Sequence, residues 1–160
     1  MSAFLHCFIV ENASLFFTND NNAKTVSTTN DKHAWAAQAH EFAHALQGAT
    51  LGRSVQSWIV ESHAEFMRNA YAGEFSNFHQ LPRASHIAYG SSRNRYGNYH
   101  FLNYLAAKHC PGLVSQIWAN AAKFIPAGSS TFDPLLVLKG VTGWSQATLG
   151  NEWLKVRNQS

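Results

Sequence analysis

The stretch Trp35-Ala36-Ala37-Gln38-Ala39-His40-Glu41-Phe42-Ala43-His44-Ala45-Leu46 decides the reading of this chain. Asn30 or Asp31 offers a helix cap, and Trp35, Ala39, Phe42, Leu46 and Ala49 follow at helical spacing. Gly48 and Gly52 mark the end of that helix. His40 and His44 then stand just over one turn apart and project from one face. Two histidines so placed can bind one tetrahedral Zn²⁺ through their ring nitrogens. Glu41, one step round the helix, reaches a metal-activated water without ligating the metal, which suits a general base.

A catalytic zinc also needs a third protein ligand and one open position. Glu61 comes seventeen residues after His44, in Trp58-Ile59-Val60-Glu61-Ser62-His63-Ala64-Glu65. These residues open a second helix expected over 57–72, ended by Gly73, and a helix–turn–helix can bring such a Glu beside the two histidines. Glu65 shares the face of Glu61 and competes for the ligand role. Gln47, three residues past His44, is a further candidate for hydrogen-bonding support of the site.

In this second segment the sequence resembles the gluzincin metallopeptidases, whose third ligand is a Glu on a following helix. In the aminopeptidase and collagenase branches that Glu is preceded by Trp and followed by a small residue, an aromatic, Ala and often Glu. Here Trp58 precedes Glu61, and Ser62, His63, Ala64 and Glu65 follow, with His63 in place of the aromatic. The likeness spans residues 39–69. It implies His40, His44 and Glu61 as zinc ligands and Glu41 as the base that deprotonates water and hands the proton to the leaving amine. It favours Glu61 over Glu65, which becomes a partner fixing the tautomer of a ligand histidine. It also implies an electrophile that steadies the oxyanion. His86, Tyr89, Tyr96, Tyr99 and His100 are candidates. Tyr96, where a loop enters the third helix, is the one preferred.

The implied fold is zincin-like: mostly α with a small N-terminal β portion, and the metal site between two consecutive helices. Apolar runs over 3–10 and 14–17 read as strand-like, and 25–29 as a short edge strand. Residues 74–94 read as loop-rich. Further helices are expected over 96–109, 113–124, 132–138 and 144–156. Trp35, Trp118, Trp144 and Trp153 fall at core positions of the helical pattern. The 160 residues form one domain, 1–160. Only 39 residues precede the motif, so a substrate-aligning N-terminal sheet would be short or incomplete.

Composition bounds the remaining options. Apolar residues make up 46% and charged residues 13%, so the chain is globular with an uncharged polar surface. Net charge is +3, and Lys and Arg are scattered, which speaks against nucleic-acid binding. No apolar run approaches the roughly 20 residues of a membrane span. Two cysteines, Cys7 and Cys110, permit one disulfide, and no Cys-x-x-Cys zinc knuckle exists. Most of the nine histidines read as surface residues. The apolar opening, 1–10, lacks a basic n-region and a cleavage site. Low charge, the cysteines and the resemblance together suggest a secreted or extracytoplasmic protein. The expected function is zinc-dependent hydrolysis of a peptide or protein substrate. The alternatives are a non-catalytic zincin-fold module binding peptide or carbohydrate, or a zinc hydrolase acting on a non-peptide bond.

Overall fold

In the computed structural model the metal-motif segment is one continuous helix, α1, Thr29–Leu51. The structure describes residues 29–51, 54–55, 57–72, 86–87, 90–124 and 131–157. Five more helices follow: α2 (Ser57–Ala72), α3 (Tyr99–Lys108), α4 (Leu113–Ala119), α5 (Pro134–Thr142) and α6 (Gln146–Arg157). Two short strands, β1 (Ser54–Val55) and β2 (Thr131–Phe132), pair in parallel. Two residues each do not make a sheet layer, and they join two connecting segments rather than build a fold element. No helix among the described residues is long and apolar enough to cross a membrane.

The face of α1 that turns inward is made mainly of alanine. Ala36, Ala39, Ala43 and Gln47 are buried, at the 3-4-4 spacing of one helical stripe. Trp35, Phe42 and Leu46, large and apolar, are 53%, 40% and 41% exposed. Methyl side chains let a partner helix approach closely, and α1 packs chiefly against α2, with α4 also in contact. From α2, Trp58 and Ile59 reach into a core shared with Phe101, Leu102, Ile117 and Trp153 of α3, α4 and α6. Burial of these apolar side chains is the main favourable contribution to the fold.

The C-terminal helices are capped by the rules their sequence carries. The Asp133 side chain accepts from the backbone N–H of Leu135 at 2.9 Å, and Pro134 occupies the first helical position of α5. Gly143, at φ +73°, ends the helix in the left-handed conformation that glycine adopts without strain. The Ser145 hydroxyl accepts from the Thr148 N–H at 3.0 Å and starts α6. A cluster on α6 then ties it to α3. The Glu152 carboxylate accepts from the Tyr104 hydroxyl at 2.8 Å and lies 3.2 Å from Nε2 of His109 and 2.5 Å from the Lys155 ammonium.

These observations correct the expected fold class. The described chain is an all-α fold, not α+β with an N-terminal β portion. The segments expected as strands lie outside the described residues, except Thr29, which opens α1 instead of closing a strand. Asn30 and Asp31 lie inside α1, and the helix runs through Gly48 to Leu51. The stripe of Trp35, Phe42 and Leu46 is not the inward face. Large apolar residues looked like core, but the buried positions of α1 are Ala36, Ala39, Ala43 and Gln47. Trp118 and Trp153 are buried as expected, while Trp144 is half-buried. The third helix starts at Tyr99, so Tyr96 sits in the preceding turn.

Candidate metal centre

Helix α1 sets the first two side chains. One turn of helix separates His40 from His44, and their rings meet edge to face with centroids 4.8 Å apart. Their Nε2 atoms are 3.1 Å from each other. Helix α2 brings Glu61 across the alanine-lined contact. Its Oε2 lies 3.4 Å from Nε2 of His40 and 3.7 Å from Nε2 of His44. Each of the three residues offers one ligand atom to a cluster spanning less than 4.8 Å, all three partly exposed. Ligand bonds of about 2.0–2.1 Å in a tetrahedron imply ligand–ligand edges of about 3.3 Å. The three measured edges bracket that length, so the residues present fit a zinc ion.

The far sides of both imidazoles are also occupied. Nδ1 of His40 lies 3.0 Å from Oε1 of Glu65, off the axis of a straight hydrogen bond. Glu65 is only 3% exposed and has the Arg68 guanidinium 3.8 Å away. Nδ1 of His44 lies 3.0 Å from Oε1 of the buried Gln47. With Nδ1 of His44 turned to an acceptor, its Nε2 lone pair, Nε2 of His40 and a carboxylate oxygen converge on one point. Such a convergence repels itself unless a cation or a proton sits within it. Accordingly the pKa of His40 is raised above 6.5: Glu65 does most of this against the lowering effect of burial, and Glu61 and Glu41 add to it.

The remaining candidates sit less centrally. Glu41 is exposed, and its charge is felt at His40. An exposed carboxylate has the access to water that a general base requires. Tyr96 is half-buried under the Arg95 guanidinium, 5.1 Å over its ring. The Arg95 carbonyl lies 2.6 Å from the Ser62 hydroxyl, which pins this turn to α2 next to Glu61. Of the other proposed electrophiles, His86 is exposed, and the His100 ring lies tilted against Tyr99 with centroids 4.2 Å apart. Tyr89 lies outside the described residues. Tyr99 is 1% exposed, with a phenol pushed up to about 12 by burial and then by the Glu65 charge. Its hydroxyl is buried and has no hydrogen-bond partner among the described residues.

His63, noted in the sequence only as a departure from an aromatic, turns out to belong to the site. It is buried, 4.9 Å from the Trp118 ring, and its Nδ1 meets Nε2 of Gln47 at 3.0 Å. Burial, and next the nearby His44, lower its pKa to about 3, so the ring is neutral. Its occupation of an aromatic position was the available signal: a histidine there keeps the flat ring and adds a hydrogen-bonding nitrogen.

A family model described as a family of unknown function (DUF6055) matches residues 18–159. The chain belongs to the DUF6055 family. No curated protein and no solved structure matches it. The matched span of this DUF6055 member takes in the six α-helices of the described residues and every residue of the His40–His44–Glu61 cluster. The family description carries no activity, so the chemistry is argued from the side chains themselves.

Proposed function

We propose that this DUF6055 protein is a zinc-dependent peptide hydrolase, with His40, His44 and Glu61 as metal ligands and Glu41 as general base. The observation that carries this reading is the convergence of the two Nε2 atoms and Glu61 Oε2 at tetrahedral edge lengths. The resemblance to gluzincins at Trp58, Glu61 and Glu65 supports it. A zinc ion held there would activate water and polarise the substrate carbonyl. The ligand set leaves one side open to solvent, and a substrate enters from that side. Glu41 would take a proton from the attacking water as the new C–O bond forms, and pass it to the amine nitrogen as the tetrahedral adduct collapses and the peptide C–N bond breaks. Tyr96, on a turn held to α2 by Ser62, is the residue proposed to steady the carbonyl oxygen. Glu65 keeps His40 oriented. The protein is proposed to work outside the cytoplasm, which the disulfide-bonded state of Cys110 supports.

The test is a peptide-library digest by the purified chain, with and without a zinc chelator, beside a Glu41→Gln variant. Chelator-sensitive cleavage is expected, with Glu41→Gln retaining zinc and losing about 10²–10⁴-fold in rate. Zinc uptake without any cleavage by the wild type would leave a non-catalytic metal-binding module, and full activity in Glu41→Gln would remove Glu41 as the base.

A further inference from the structure

The orientation of one side-chain amide decides which way two histidine rings carry their protons. Nε2 of Gln47 lies 3.0 Å from the Val60 carbonyl oxygen, which can only accept, so the NH₂ end of the amide faces Val60. Its second N–H meets Nδ1 of His63 at 3.0 Å. That nitrogen must accept, and the His63 ring proton is therefore on Nε2. The other end of the amide, Oε1, lies 3.0 Å from Nδ1 of His44. An amide oxygen donates nothing, so His44 carries its proton on Nδ1 and keeps a lone pair on Nε2, 3.1 Å from His40 and 3.7 Å from Glu61. Every assignment follows from a single backbone carbonyl.

The residues that hold Gln47 flank the third ligand. Val60 immediately precedes Glu61 on α2, and His63 follows it by two. The His63 ring is kept from turning by Trp118 of α4 at 4.9 Å and by Phe66 stacked at 6.4 Å. Gln47 on α1 thus grips α2 on both sides of Glu61 while also holding His44. The two histidines are served differently: His40 faces a carboxylate, and His44 faces a neutral, buried amide that also contacts the buried His63.

We infer that Gln47 and His63 are positioning residues: they set the tautomer of His44 and fix the register of α1 on α2 at Glu61, so that the three-ligand face is assembled before the metal arrives. The role rests on the zinc reading proposed above. Outer partners of metal-ligating histidines commonly change metal affinity by about 10–100-fold when removed.

Two measurements on the full chain test it. In a long-range ¹H–¹⁵N correlation spectrum of the metal-free wild type at neutral pH, His44 is expected as the Nδ1–H tautomer and His63 as the Nε2–H tautomer. The opposite tautomer at either ring overturns the inference. In a zinc competition titration against a chromophoric chelator, Gln47→Leu is expected to bind about 10–100-fold more weakly, and His63→Phe, which keeps the ring but loses the acceptor, to weaken binding as well. Wild-type affinity in Gln47→Leu overturns the inference while leaving the zinc site standing. A wild-type chain that takes up no zinc removes the zinc reading itself, and the positioning role with it. Should Gln47→Leu fail to fold, the wild-type spectrum still decides.

Discussion

Nε2 of His40 and Nε2 of His44 lie 3.1 Å apart, both turned toward the same Glu61 oxygen, while the opposite nitrogen of each ring lies 3.0 Å from a different acceptor. Two imidazoles joined only by a hydrogen bond would leave one of these outer contacts without a proton. A cation at the common point satisfies all of them. The relationship places a proton and a metal in direct competition for one location.

That competition predicts a pH-dependent zinc affinity. The pKa of His40 is raised above 6.5, led by the Glu65 contact. Below the raised value the ring holds a proton that a metal must displace, so apparent affinity falls by about tenfold per pH unit. The fall begins above pH 6.5 and continues as pH decreases. Titrations from roughly pH 5.5 to 8.5 check this, and Glu65→Gln should move the onset to lower pH. An affinity flat across that range would contradict the competition.

Glu61 and Glu65 stand at i and i+4 on one helix but have different parts. Glu61 faces both Nε2 atoms, whereas the buried Glu65 meets only the far nitrogen of His40. Glu61→Gln should therefore abolish tight zinc binding, while Glu65→Gln weakens it by about 10–100-fold. Isothermal titration of both variants distinguishes them. The reverse ranking would make Glu65 the ligand.

The alanine stripe of α1 predicts a steric effect. Ala43 is fully buried, whereas Ala45 on the same helix is exposed. Ala43→Leu should cost about 1–3 kcal/mol by overpacking and weaken zinc binding by separating α1 from Glu61. Ala45→Leu should change stability by about 0.5 kcal/mol or less. Denaturant unfolding of both variants is the measurement. Equal effects would mean that the small residues do not set the helix spacing.

Acid unfolding should depend on Glu152. Burial alone would raise its pKa, but hydrogen bonds from Lys155, Tyr104 and His109 outweigh it and bring the carboxyl down to about 2, below its ordinary 4.5. A depressed carboxylate stabilises the fold fully above pH 4.5, and the contribution is lost as pH falls from 4.5 through about 2. Glu152→Gln should flatten the stability curve in that window and leave its shape above pH 5 unchanged, as read by thermal melts across roughly pH 2 to 7. An unchanged slope in the acid window would count against the cluster as the source.

The site was more legible in the sequence than the fold around it. His40 and His44, the proposed ligands, are related by one helical turn, a local relation that spacing alone reveals. Glu61 was legible because Trp58 and Glu65 surround it in a distinctive order. The inward face of α1 was not legible, since hydrophobic patterning points to the largest apolar residues. The face instead uses Ala36, Ala39 and Ala43, because its task is close approach and not volume. The role of His63 was hidden for a related reason. Its partner Gln47 is on another helix, and no periodicity links the two. The choice among electrophiles depended on where the turn at 95–98 lies, and only the bond between Ser62 and the Arg95 carbonyl shows that.

His40, His44 and Glu61 are proposed to form one zinc centre. Its most direct test is zinc titration of the metal-stripped wild-type chain, followed by X-ray absorption at the zinc edge, with His40→Ala, His44→Ala and Glu61→Gln treated alike. The account predicts one zinc per wild-type chain, bound by nitrogen and oxygen atoms at about 2.0–2.2 Å, and loss of tight binding in each variant. No zinc uptake by the wild type, or uptake that survives in all three variants, would contradict it.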